Sequence, residues 1–239
     1  MFEAMDGKTN RDDGRAGWGA PSPVLLILLA CALMLGQTGC SLFVMAGKML
    51  YGDPKITCEF TARTHVNLSR DHKRVLVIAT IPETIRQEFP ALDFDIVEGV
   101  ALRLHRRDIE TVDLNRVATW VDDNGGFYNS ENELANEFDC DYIVHFDLSE
   151  FDYREMNSAE LYRGRASGNI YAYEVRGEKK GQKSAVEVFV KEFRSIYPGE
   201  YPVSSEQVSA KVFAKRYLDI TTDELARLFY NHHMSETLK

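Results

Sequence analysis

Residues Tyr142 to Ser149 read YIVHFDLS. Tyr142, Val144, Phe146 and Leu148 fall on one side of an extended chain, and Ile143, His145, Asp147 and Ser149 on the other. That two-residue period is the mark of a strand with one buried face. Upstream, Arg74 to Thr80 reads RVLVIAT, an unbroken aliphatic run suited to a central strand covered on both faces, and Pro82 ends it. Downstream, Tyr162 to Val175 is a long strand whose Gly164, Ala166, Gly168, Ile170 and Ala172 form a small apolar side for close helix packing. A charged hairpin tip, Arg176 to Lys183, leads to a strand over Ala185 to Phe193 with Val186, Val188 and Val190 inward. One further edge strand is expected at Lys55 to Thr61.

Helical spacing fills the gaps between strands. From Leu92 to Arg107, apolar groups recur at Phe94, Val97, Val100, Ala101 and Leu104. Val112 to Val121 is a second short helix, stopped by Asn124-Gly125-Gly126. Ser130 and Glu133 stand at capping-box spacing before a helix ending near Phe138. Ser204 to Tyr217 reads as a helix, and Thr221 with Glu224 as a second box opening a last helix to about His232. The order predicts one α/β (α+β) domain over residues 47–239. Its expected sheet is mixed and four- to five-stranded, with helices mostly on one face.

The amino terminus carries a different signal. Val24 to Leu35 reads VLLILLACALML, twelve apolar residues, the length of a signal-peptide core and short of the ~20 that span a bilayer. The run closes with Gly36-Gln37-Thr38-Gly39-Cys40. This ending resembles the lipobox of bacterial lipoproteins, which implies a signal peptide over 1–39 and a diacylated Cys40. The alternative is an uncleaved signal anchor over about 24–45, since Leu42 to Met45 adds apolar length. Lys8, Arg11 and Arg15 hold the leading segment in the cytoplasm under either reading, so the body is exported.

A second resemblance lies in the body. Glu137 to Val144 (EFDCDYIV), with the strand VLVIAT before it and the ending Ala226 to Tyr230 after it, resembles the TolB amino-terminal domain and related envelope lipoproteins over residues 70–232. What that implies is a non-catalytic module of an envelope assembly, an accessory of a secretion or transport system.

The composition excludes several classes. Lys and Arg number 28 against 37 Asp and Glu, so 28 − 37 leaves a net charge of −9, which repels nucleic acid. No GxSxG, GxGxxG, P-loop or HExxH pattern occurs, and no Cys/His spacing fits zinc, so neither cofactor nor metal is expected. His145 and Asp147, two residues apart on one strand side, are the candidate catalytic pair of an exported hydrolase, the alternative function. A solvent-facing strand position explains them without chemistry. His232 and His233 lie in a fraying terminal segment. Tyr142, Phe146, Phe151, Tyr153, Tyr162, Tyr171 and Tyr173 read as sheet core, with a carbohydrate or peptide platform as the alternative. An oxidising compartment permits a disulfide between Cys58 and Cys140, and two buried free thiols are the other state. The expected function is therefore a membrane-anchored, periplasmic-side lipoprotein that binds other envelope proteins.

Processing at Cys40 gives the first prediction. Acylated protein begins at a lipid-bearing Cys40, and Cys40→Ser leaves the leader attached; intact-mass measurement on protein from membranes checks both. A wild-type chain retaining its leader and a free Cys40 thiol overturns the lipoprotein reading.

Overall fold

The hydrophobic patterns become extended chain and helix in alternation along residues 55–126, 128–177 and 181–237, which the computed structural model describes. The leader, the anchor alternative and Cys40 lie outside these residues, as do three residues of the charged hairpin tip. The first half runs β1 (Lys55–Ile56), α1 (Glu59–Thr64), β2 (Arg74–Thr80), α2 (Glu83–Glu88), α3 (Leu92–His105), β3 (Glu110–Thr111), α4 (Leu114–Asp123) and α5 (Glu131–Glu137). Three long strands follow: β4 (Tyr142–Arg154), β5 (Leu161–Gly177) and β6 (Lys183–Tyr197). The chain closes with β7 (Val203–Ser204), α6 (Ala210–Arg227), β8 (His232–His233) and α7 (Met234–Thr237).

The fold is mixed α/β in one domain with an open six-stranded sheet, ordered β3-β2-β4-β5-β6 with β7 on β5. β2 pairs in parallel with β3 and β4, and the remaining pairings are antiparallel. Val75 and Val77 of β2 enter the larger core with α3 and α6, while Leu76 and Ile78 enter a smaller one under α4 and α5. A strand apolar at every position can be accommodated only by such double cover. The two longest helices, α3 and α6, share one face, as expected, and α4 and α5 cover part of the other.

Two glycines mark where α6 docks. A Cβ on Gly164 of β5 would fall 2.3 Å from the Tyr217 ring, and one on Gly99 of α3 would fall 2.8 Å from the Thr222 side chain. The small side of β5 is therefore a seat for an aromatic ring of α6.

Several local expectations are corrected. The predicted edge strand at Lys55 to Thr61 is only β1, because the chain turns into α1, which buries Phe60 completely. β1 pairs with β8, so His232 and His233 are in a strand, with His232 buried. The Thr221–Glu224 box does not form: α6 runs through it, Thr221 is buried, and the Thr222 hydroxyl donates to the Leu218 carbonyl at 2.9 Å. Glu133 accepts from the backbone and side-chain amides of Asn129, so the helix start is held from one residue before Ser130. Val190 points outward, 44% exposed, because a bulge opposite Ala172 and Tyr173 shifts the alternation and buries Phe189 and Phe193 instead. Cys58 and Cys140 are both free and buried. They belong to the two separate cores, with the sheet between them, so the disulfide alternative fails on geometry. Burial pushes the Cys140 thiol up to about 11, which keeps it protonated and inert.

Gly164→Val drives two methyls into the Tyr217 ring. Overpacking of this kind costs about 1–3 kcal/mol, to be read as a lowered urea midpoint at unchanged slope.

Candidate functional site

β2 and β3 send their connections to opposite faces, α2 and α3 to one and α4 and α5 to the other. In α/β sheets that arrangement opens a crevice beyond the carboxyl ends of the parallel strands. Thr80 is the last residue of β2, at its carboxyl end, and the register places Thr80 opposite Asp147 and Ile78 opposite His145.

His145 is not the solvent-facing group its strand pattern suggests. Its side chain is only 13% exposed, because α5 and the chain before it fold over that part of the sheet. Nε2 lies 2.9 Å from the Thr80 hydroxyl, and Nδ1 lies 3.2 Å from the Glu131 carboxylate. The Tyr128 hydroxyl stands 3.4 Å from Nε2, and the ring of Tyr171 packs 6.0 Å away between centroids. Thr80 also donates to Asp147 at 3.1 Å. Glu131, His145, Thr80 and Asp147 thus form one polar chain. The predicted pair, His145 and Asp147, is joined through Thr80.

A hydroxyl has one proton to give. When Thr80 gives it to the exposed Asp147 carboxylate, Nε2–H of His145 is the donor to Thr80. Nδ1 then faces Glu131, and a bare lone pair there repels the carboxylate. Protonating the ring satisfies every partner, but burial opposes the charge. Burial is the larger effect and holds His145 below the usual imidazole range, while Glu131 and Asp147 pull the other way. Burial likewise raises Tyr128 and pushes Tyr173 up to about 12, so both stay neutral.

The same side of β4, β5 and β6 continues past His145 as cross-strand rows. Asp147, Asn169 and Glu192 form one, Glu150, Ser167 and Arg194 the next, and Asp152, Arg165 and Ile196 the third. Arg165 is held by Glu155 at 3.3 Å and Asp152 at 3.6 Å, and the Ser167 hydroxyl donates to Glu150. Asp147, Glu150, Asn169, Glu192, Arg194 and Ile196 remain exposed, so this part of the sheet is uncovered among the described residues. Tyr142, Phe146, Phe151 and Tyr162 are buried on the opposite side, as sheet core. That core side also has a cleft of about 500 Å³ between the α2–α3 connection and α6, lined by Phe89, Leu92, Phe151 and Leu218 with Glu88, Asp95 and Lys215. No group of three or more His, Cys, Asp or Glu side chains able to hold a metal occurs among the described residues.

Thr80, Glu131 and Tyr128 escaped the sequence reading. Thr80 looks like the end of an apolar strand, and only the parallel β2–β4 register brings it to the histidine.

A scan against family models finds no match, and neither does a search of curated proteins. Solved structures with a similar trace include the PelC dodecamer of Paraburkholderia phytofirmans, at 11% identity, TM-score 0.38, over 75% of this chain and 97% of that one. The lipoprotein GNA1162 of Neisseria meningitidis matches at 11% identity, TM-score 0.39, over 64% and 98% respectively. The hypothetical protein CT253 of Chlamydia trachomatis matches at 12% identity, TM-score 0.35, over 66% and 92%. At these scores the likenesses carry no conclusion about activity. No helix among the described residues is long and apolar enough to cross a membrane.

His145 supplies a pH-dependent prediction. Unfolding returns its pKa to about 6.5. Between that pH and its lower folded value, the unfolded chain binds a proton that the folded chain refuses. This contribution is present above about pH 6.5 and lost as pH falls. His145→Ala should cost about 1–3 kcal/mol at pH 7.5 through lost hydrogen bonds, with the gap to wild type narrowing towards pH 5.5. Urea unfolding at both pH values checks this, and a pH-independent gap contradicts it.

Proposed function

We propose that this chain is an exported envelope lipoprotein, anchored through Cys40, whose body binds another envelope protein without catalysing a reaction. The apolar run before Gly39-Cys40 supports the anchor. The Glu137–Val144 stretch, which crosses from α5 into β4, supports the module reading through its resemblance to the TolB amino-terminal domain.

One observation carries the binding role. Met156 is 72% exposed at the tip of the β4–β5 hairpin, and Tyr201 is 80% exposed in the β6–β7 connection. The two segments run side by side, tied by β5–β7 pairing, by the Ser205 amide donating to the Glu160 carbonyl at 2.7 Å, and by Arg163 donating to the Glu200 carbonyl. Large apolar side chains left in water on anchored loops are the composition of an interface core, where Tyr and Met are enriched. The polar rows of β4–β6 supply a hydrogen-bonding surround.

A second reading, an exported hydrolase, draws on the Thr80–His145–Glu131 chain, whose order is that of a nucleophile, base and acid. It requires Thr80 to give its proton to His145, and Asp147 competes for that proton at 3.1 Å.

Photo-cross-linking in intact cells separates the readings. A cross-linker at Tyr201 should give one discrete adduct with an envelope protein, one at exposed Lys211 on α6 should give none, and His145→Ala should leave the Tyr201 adduct in place. Equal labelling from both positions, or no adduct from Tyr201, overturns the binding role.

A further inference from the structure

β6 is the last strand of the sheet, and its outer edge is closed along only part of its length. At its start, Asn136 donates to the carbonyl and accepts from the amide of Lys183, and Asn132 accepts from the amide of Ala185 at 2.7 Å. The backbone groups of residues 183 and 185 therefore point away from β5. The bulge at Ala172/Tyr173 inserts one residue and shifts that alternation to even numbers. Arg63 confirms the shift by donating to the Val190 carbonyl at 2.7 Å. Val190, Glu192, Arg194 and Ile196 then direct their amides and carbonyls outward, and their side chains lie on the uncovered face.

This outward set is self-complementary. Antiparallel pairing of the segment with itself about a dyad at Phe193 places Val190 opposite Ile196 and Glu192 opposite Arg194. Each pair occurs twice by symmetry. Val190 and Ile196 are 44% and 41% exposed, and Glu192 and Arg194 make no ion pair among the described residues. The Glu192–Arg194 pairs become hydrogen-bonded pairs of the new ladder, with Phe193 facing its copy at the non-bonded position between them. At the Val190–Ile196 pairs the Val190 carbonyl accepts from the Ile196 amide beside the Arg63 guanidinium it already holds. A dyad at Arg194 would oppose that residue to itself, and a dyad at Glu192 would do the same with the carboxylate, so charge favours the Phe193 dyad over both of its neighbours. Charged groups on an edge strand ordinarily deter pairing; in this order they deter the two adjacent registers and favour this one.

We propose that Val190–Ile196 of β6 is a self-pairing edge through which two copies of this chain join antiparallel about a dyad at Phe193, continuing one sheet across both. The contact is isologous, so it closes at two copies. It leaves the Met156 and Tyr201 tips available for the separate partner.

Charge reversal tests the register. Full-length protein in detergent should sediment as a dimer that dissociates on dilution. Glu192→Arg and Arg194→Glu each create two like-charge pairs and should weaken dimerisation about tenfold or more. The double variant should restore it, and so should an equal mixture of the two single variants, which form a complementary heterodimer. Both side chains are exposed, and unchanged urea unfolding of each variant confirms that the fold survives. A monomer at all concentrations, single variants that dimerise like wild type, or a double variant as weak as the singles each overturns the proposal.

Discussion

Four consecutive side chains of β2, Val75 to Ile78, are buried, and alternate ones face opposite ways. Removing such a strand from water on both sides requires a layer above and a layer below, and the chain on either side supplies them. The parallel neighbours β3 and β4 can be reached only by long crossovers. Those crossovers are α2 with α3 on one face and α4 with α5 on the other.

The second half of the chain solves a different problem. β4, β5 and β6 extend well beyond the part that α4 and α5 cover, and their inner side is closed by α6. Gly164 and Gly99 let that helix approach a strand and a helix at once, and Phe213, Tyr217, Leu225 and Ala226 fill the space between. The outer side has no such layer. Antiparallel strands tolerate water on one face, and this face is accordingly built from paired charges such as Arg165 with Asp152 and Glu155.

His145 stands at the boundary between the covered and the open parts of that outer side. One residue pair earlier on β4, Ile143 is in the apolar core under α4 and α5, and one pair later, Asp147 is in water. An imidazole tolerates such a boundary because each nitrogen can be partnered while the ring packs on Tyr171. The three bulges in β4–β6 act in the same region. By re-aiming one residue each, they decide which side chains of otherwise regular strands meet the core and which face the solvent.

Local pattern alone determined much of this molecule. RVLVIAT required a doubly covered strand, YIVHFDLS gave the inward set Tyr142, Val144, Phe146 and Leu148, and the small side of β5 announced a closely packed helix. These readings succeed because burial follows period and side-chain size over a few neighbouring residues. The tertiary structure decided what depends on partners far along the chain. Val190 reads as inward until the bulge against β5 shifts its alternation. Thr221 and Glu224 read as a cap until tertiary burial carries α6 through them. His145 reads as exposed until Glu131 and Tyr128 fold over it and Thr80 arrives from 65 residues away through the β2–β4 register. Cys58 and Cys140 could be a pair on paper, and the sheet separates them. Pairing register, bulges and cross-chain cover are set by contacts between segments, and no single segment contains the information that fixes them.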